Sequence, residues 1–150
     1  MTYFKDLTPH TYSKGGKSSI PVICIGWLSK SELFIQGETS QEFRAKLHEF
    51  CLDENILFVM RGFHSCEVCE LSWIEWGRQH PNYGKNAEWM GIGDGEIRIM
   101  GKNKLYAAPA LIYHYVVEHN YKPPEEFIEA ILTSPPPSSI EYRTLLESYK

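Results

Sequence analysis

The sequence predicts a single α+β domain, in which a small antiparallel sheet carries helices on one face and a helical C-terminal part follows. Two observations support this fold class. Short apolar runs rich in β-branched residues alternate with longer segments that have helical spacing. One pair of short strands is joined by a turn, which indicates a hairpin and therefore antiparallel pairing. The chain of 150 residues is long enough to bury a core of its own.

The first predicted elements are a strand and a helix. Residues 1–20 are polar and rich in turn residues, whereas residues 21–28 (PVICIGWL) form an apolar run whose length favours a buried strand. Thr39 or Ser40 can cap the helix that follows. This helix has one apolar stripe, made of Phe43, Leu47, Phe50 and Cys51. Cys24, within the strand, and Cys51 are therefore expected to be core residues.

The middle of the chain predicts further strands and a second helix. Residues 56–59 are a short strand candidate. Residues 96–99 alternate polar and apolar side chains, as a half-buried strand does, and residues 105–108 return as the second arm of a hairpin. A helix is expected over residues 110–120, with Pro109 at its start and Asn120 as its terminator.

The C-terminal part is predicted to be helical. A helix over residues 123–132 has Glu125 and Glu126 in its first turn, where the helix dipole favours negative charge. These two acids therefore have a structural explanation rather than a catalytic one. A proline-rich stretch follows this helix. We expect residues 1–132 to form the α+β domain and residues 133–150 a C-terminal extension with a short helix.

Charge and hydropathy exclude several classes of function. Fifteen Lys and Arg residues against 19 Asp and Glu give a net charge of −4, which argues against a nucleic-acid partner. The N-terminus lacks the basic start and apolar stretch of a secretory signal. The longest uncharged stretch, residues 105–117, falls short of the roughly 20 apolar residues that a membrane-spanning helix needs. We therefore expect a cytoplasmic protein that has no membrane partner.

The cysteine and histidine spacing predicts a zinc site. Cys66 and Cys69 form a C-x2-C pair, and two thiolates at this spacing can bind one Zn²⁺ from a tight turn. His114 and His119 form an H-x4-H pair, which lies within the spacing associated with such sites. These four residues could supply a complete tetrahedral ligand set.

Two geometric points leave the ligand set open. Five helical steps turn the two imidazoles about 140° apart, so they converge only if the helix loosens near Asn120. If residues 63–66 are extended, His64 points to the same side as Cys66 and is a competing ligand. The sequence thus offers five candidate donors for four places, namely His64, Cys66, Cys69, His114 and His119. One donor is then in an outer shell or uninvolved.

The C-x2-C pair has two alternative interpretations. A redox pair is disfavoured because Glu67 and Glu70 flank the thiols. Negative neighbours raise the pKa of a thiol and oppose the reactive thiolate that exchange chemistry needs. The other alternative is that the two thiols only pack. The presence of His114 and His119 favours the metal site over both.

Several blocks of the sequence resemble a known family. The blocks are MTYFKDLTPHTY, IGWL, RGFHSCEVC, GEIRI and YAAPALIYHYVVEHNYKPPEEFIEAIL. They are similar to an uncharacterised family of small bacterial proteins, one of the domains of unknown function, over about residues 2–132. Residues 71–91 and the tail after Ser134 look particular to this chain. The resemblance implies a single-domain bacterial cytoplasmic protein, in which the cysteine and histidine blocks belong together, and it implies no activity.

The expected function is that of a zinc-stabilised binding protein rather than an enzyme. A closed set of four ligands stabilises the fold and does not activate water, and no nucleophile–base constellation is evident beside it. One alternative is a metal-assisted hydrolase, with three donors, water in the fourth position, and Glu67, Glu70 or the spare histidine as base. Another is an immunity or antitoxin-like protein that binds a basic nuclease-like partner, which fits the small size, acidity and aromatic content.

Overall fold

A three-stranded sheet is formed by segments from both halves of the chain. The computed structural model describes residues 3–10, 20–57, 66, 68 and 95–148. Its strands are β1 (Val22–Cys24), β2 (Glu96–Met100) and β3 (Leu105–Pro109). They lie in the order β1-β3-β2, so β3 has a partner on each side.

Strands β2 and β3 form the predicted hairpin. They pair antiparallel along their whole length. In the turn between them, the Gly101 N–H donates to the Lys104 carbonyl at 2.8 Å. Asn103 has a φ of 55° there, a left-handed conformation that asparagine tolerates better than most residues.

The sheet is mixed, which corrects the prediction of a wholly antiparallel sheet. Strand β1 pairs with β3 in parallel, with Ile23 in register with Tyr106. A tight turn imposes antiparallel pairing only on strands that are neighbours in sequence. A parallel partner needs a crossover of at least about a dozen residues, and the chain between β1 and β3 is far longer than that. The apolar pattern of β1 carries no information on the direction of its partner.

Strand β1 is also shorter than the strand predicted over residues 21–28. It ends at Cys24, and Gly26 then turns the chain with a φ of 77°. Residues 25–28 remain buried although they form no strand. A Cβ at Gly26 would lie 2.9 Å from Cδ1 of Ile112, so the chain also needs glycine there for close packing.

Isolated bridges extend the sheet at both edges. Pro9 forms an antiparallel bridge with Ile23, which places the N-terminal residues beside β1. Leu57 forms an antiparallel bridge with Glu96. A strand was predicted over residues 56–59, and the structure shows this one bridge of it. Residues 58–59 lie outside the described residues. Residues 71–91 also lie outside them.

The predicted helices are present and confirm the α+β class. They are α1 (Gln41–Phe50), α2 (Ile112–His119), α3 (Glu125–Thr133) and α4 (Ile140–Ser148). Ser40 caps α1, because its Oγ accepts a hydrogen bond from the Phe43 N–H at 3.1 Å. Helix α4 supplies the helical C-terminal part.

The helices pack against one face of the sheet, as predicted. The Tyr106 ring of β3 lies 5.8 Å from the Phe127 ring of α3. Phe50 of α1 lies 5.5 Å from Tyr142 of α4. The Tyr142 hydroxyl donates to the Arg98 carbonyl at 2.7 Å, which ties α4 to β2. One core therefore joins the sheet to the helices.

Cys24 and Cys51 are core residues, as predicted. Both are fully buried. Burial raises the pKa of each thiol to about 12. Both side chains are therefore neutral at physiological pH and act as small apolar groups.

A buried ionic network lies on the opposite face of the sheet. Strand alternation points Glu96 and Arg98 away from the helices. Glu96 Oε2 lies 3.3 Å from His10 Nε2 and 3.2 Å from Arg98 Nε, and each of the three residues exposes less than a tenth of its surface. The His10 ring contacts Phe4 and Trp27, at 5.7 and 5.6 Å between centroids. We call His10, Glu96 and Arg98 the Glu96 network; it fastens residues 3–10 to the sheet.

The helices within the described ranges are short. The longest of them, α1, has 10 residues. None is long and apolar enough to cross a lipid bilayer, since about 20 residues are needed.

Candidate metal centre

Helix α2 carries both predicted histidine ligands, and its apolar residues fix the direction in which they point. Ile112, Tyr115 and Val116 are buried and hold α2 on the core. His114 lies beside this stripe and exposes 3% of its surface. His119 is the last residue of α2 and is half-buried.

The two histidine rings converge, because the last turn of α2 is wider than an α-helical turn. Their centroids are 5.0 Å apart, with the ring planes at 80°. The Asn120 N–H donates to the Tyr115 carbonyl, five residues back instead of four. Asn120 itself has a φ of 53°, which ends the helix. This is the loosening near Asn120 that the spacing of His114 and His119 requires.

Cys66 completes a group of three candidate ligands. Its Sγ lies 3.3 Å from Nε2 of His119. The ligand atoms of Cys66, His114 and His119 all lie within 4.8 Å of one another. Cys66 is buried, with 6% of its surface exposed. Residues that are far apart in sequence thus place one sulfur and two imidazoles around one point.

The other two predicted donors, Cys69 and His64, lie outside the described residues. The same holds for Glu67 and Glu70, the predicted neighbours of the thiols. The structure therefore brings together three of the five sequence-predicted donors. The contributions of Cys69 and His64 remain predictions.

Burial keeps both imidazoles of the cluster neutral. Burial, with a smaller contribution from the neighbouring His119, lowers the pKa of His114 to about 4. Burial also lowers the pKa of His119, against the opposing effect of Glu118. A neutral imidazole is the form that coordinates a metal ion, so neither ring has to release a proton at neutral pH before it binds.

Glu125 and Glu126 lie in the first turn of α3, as predicted. The Glu126 carboxylate accepts a hydrogen bond from the Tyr106 hydroxyl at 2.9 Å and pairs with Lys104 at 3.3 Å. Glu125 pairs with Lys122 at 3.1 Å on the surface. These contacts agree with the structural explanation of both acids.

Gln36 contacts the candidate centre from a segment that sequence reasoning did not single out. Its Nε2 donates to the main-chain carbonyl of His119 at 3.1 Å. A bond to a main-chain carbonyl leaves no signature in residue types, because every residue carries that carbonyl. The segment around Gln36 also lacks helical or strand periodicity.

Comparison with known proteins gives a family. A family model described as a domain of unknown function (DUF7919) matches residues 2–132. The matched range contains Cys66, His114 and His119. No curated protein and no solved structure matches the chain. The family description states no activity, so the chemistry of the centre has to be argued from its residues.

Proposed function

Since this chain belongs to the family described as a domain of unknown function, DUF7919, we propose its function from its own residues. The protein binds one zinc ion between Cys66, His114 and His119. The ion stabilises the fold, and the protein acts through contacts with another protein.

The convergence of the three donors is the observation that supports zinc binding. A tetrahedral zinc ion holds sulfur at about 2.3 Å and nitrogen at about 2.0–2.1 Å, which places two neighbouring ligand atoms roughly 3.3–3.6 Å apart. The Cys66 sulfur and the His119 nitrogen are already 3.3 Å apart. The other two distances between ligand atoms are at most 4.8 Å. Side-chain rotations that move these atoms by about 1 Å would therefore complete the tetrahedral geometry.

The donor types favour zinc among the common metals. One thiolate and two imidazoles are ligands that zinc accepts, whereas magnesium and calcium prefer oxygen. Cys66 and His114 are almost fully buried, and this supports a dry, structural site. Cys69 is the proposed fourth ligand, because the C-x2-C spacing lets both thiolates reach one ion.

Native mass spectrometry of protein purified without added metal tests the zinc proposal. We expect about one zinc ion per chain in the wild type and less than about a tenth of one in Cys66→Ser, because a structural site needs its full ligand set. Cys51→Ala is the matched control, since Cys51 is also a buried thiol but lies outside the centre; it should keep its zinc. Wild-type protein with less than about a tenth of an equivalent would contradict the proposal.

A metal-assisted hydrolase is the second candidate, and the number of described donors favours it. Catalytic zinc sites have three protein ligands and a bound water, and Cys66, His114 and His119 are three. His119 is half-buried, and this partial exposure supports an open coordination position.

The Cys69→Ser variant separates the closed site from the open one. If Cys69 is the fourth ligand of a closed site, we expect the zinc affinity of the variant to fall by more than about 100-fold. Mutation of a residue that only hydrogen-bonds to a ligand lowers metal affinity by about 10- to 100-fold, and loss of the ligand itself has a larger effect. The measurement is competition with a chromogenic chelator. An affinity within about threefold of the wild type would show that Cys69 is no ligand, and the same result in His64→Ala would then favour the hydrolase.

The protein-contact part of the proposal is supported by exposed apolar side chains. Leu33 is 100% exposed and Ile35 is 72% exposed, on one short segment. Crosslinking in cells should capture a partner with the wild type and lose it with the double variant Leu33→Ser and Ile35→Ser. Equal capture by both proteins would contradict a contact through this segment.

A further inference from the structure

Residues 35–37 pair with the chain directly after His119. Gln36 forms an antiparallel bridge with Tyr121. The Lys122 N–H donates to the Ile35 carbonyl, and the Gly37 N–H donates to the Asn120 carbonyl, both at 2.9 Å. We call residues 35–37 and 120–122 together the ribbon. The ribbon begins one residue beyond a candidate metal ligand.

The ribbon supplies hydrogen bonds that the end of α2 needs. The last carbonyls of a helix have no partner within the helix. Gln36 donates its side-chain N–H to the carbonyl of His119 at 3.1 Å. Gly37 donates its main-chain N–H to the carbonyl of Asn120 at 2.9 Å. His119 therefore contacts Cys66 through its ring and Gln36 through its carbonyl.

One half of the ribbon is anchored to the core and the other half is exposed. Tyr121 is fully buried, and its hydroxyl donates to Asp6 at 2.7 Å. Ile35 and Gln36 are exposed, and among the described residues their segment is held through the ribbon and through Phe34, whose ring lies 6.1 Å from that of Tyr121. A segment with so few buried contacts opens at a low free-energy cost.

We propose that Gln36 is a positioning residue for His119, and that ion binding at the centre and closure of the ribbon stabilise each other. This inference rests on the proposed zinc site. Gln36 and Gly37 hold the main chain of His119 and Asn120 in the conformation that directs the His119 ring towards Cys66. Because such coupling is reciprocal, an ion that holds the ring also closes the ribbon. The segment that presents Leu33 and Ile35 is thereby fixed by the metal.

The first measurement needs no variant. We expect zinc to slow amide hydrogen exchange of Gly37 and Lys122 in the wild-type chain by at least about fivefold, beyond any change at amides of α4, because the coupling acts on the ribbon. Helix α4 contacts the sheet through Tyr142 and serves as an internal reference. Equal protection with and without zinc, while zinc is bound, would overturn the inference.

The second measurement uses Gln36→Met, which removes the donor and keeps the length and charge of the side chain. We expect the zinc affinity to fall by about three- to tenfold, the equivalent of one hydrogen bond. Gln41→Met makes the same change at an exposed residue of α1 and should leave the affinity unchanged. If Gln36 had a purely structural role, Gln36→Met would destabilise the zinc-free and zinc-bound proteins equally and leave the zinc affinity unchanged. An unchanged zinc affinity in Gln36→Met would therefore also overturn the inference.

The failure of this inference is distinguishable from failure of the zinc site itself. Wild-type protein that binds no zinc would overturn both proposals. Wild-type protein that binds zinc, with neither ribbon protection nor an effect of Gln36→Met, would overturn only the coupling.

Discussion

Removal of the zinc ion by a chelator is expected to lower the melting temperature of the protein by about 8–16 °C. In the proposed site, the ion would bind the folded arrangement of Cys66, His114 and His119 and not the unfolded chain. With free zinc at about 1,000 times its Kd, this preference stabilises the fold by about 4 kcal/mol. For a domain of this size, each kcal/mol shifts the midpoint by about 2–4 °C. The measurement is a thermal scan at fixed free zinc, repeated with excess chelator.

Two variants control this experiment. Cys66→Ser should melt at one temperature whether or not chelator is present, since it lacks the thiolate. Cys51→Ala should lose some stability from the core but keep the full response to chelator, because Cys51 is not one of the three converging donors. A chelator effect of the same size in Cys66→Ser would mean that zinc acts elsewhere on the chain.

Replacement of Glu96 by alanine is expected to reduce the free energy of unfolding by about 3–5 kcal/mol. The Glu96 carboxylate is the anion shared by His10 and Arg98. Its removal breaks the ion pair with the buried Arg98 guanidinium, and breaking a buried ion pair by removing one partner is costly. Urea denaturation at neutral pH measures the change.

The surface pair Lys122–Glu125 provides a matched control. Glu125 is bound at 3.1 Å, a similar distance, but its side chain is 77% exposed. Glu125→Ala should therefore cost no more than about 1 kcal/mol. The double variant Glu96→Leu and Arg98→Met should recover much of the loss, because it removes both charges together. If Glu96→Ala and Glu125→Ala had equal costs, the Glu96 network would not act as a buried ion pair.

The elements that the sequence predicted are those whose signals are local. Ser40 caps α1 through a residue three positions away, and the turn at Asn103 joins strands that are neighbours in sequence. The parallel pairing of β1 could not be predicted, since its partner is distant in the chain. The end of β1 was also missed, because an apolar run does not reveal that Gly26 turns the chain.

Burial of the Glu96 network was not predictable for a related reason. Glu96 and Arg98 alternate with apolar residues, which is typical of a strand with one solvated face. The structure covers that face with residues 3–10, which carry the turn-rich composition of a loop, and His10 fills the space beside Glu96. Alternation shows which residues share a face, but not what covers that face.

For the candidate centre, residue type and spacing predicted the candidate donors, three of which the structure brings together, and the end of α2 decided their geometry. The pairs C-x2-C and H-x4-H indicate metal ligands whatever the fold. Whether His114 and His119 converge depends on the wide turn at Asn120, which the sequence marked only as a helix terminator. The contact from Gln36 depends on tertiary structure alone.

The position of β3 between β1 and β2 has a consequence for biosynthesis. While the chain leaves the ribosome, β1 emerges long before β3, the strand to which it must bind. At about 5–20 residues per second, the roughly 80 intervening residues take about 4–16 s to synthesise. During that interval the apolar run around Ile25 has no sheet to join. Completion of the sheet must therefore follow translation of the hairpin, and until then the residues of β1 lack their strand partner.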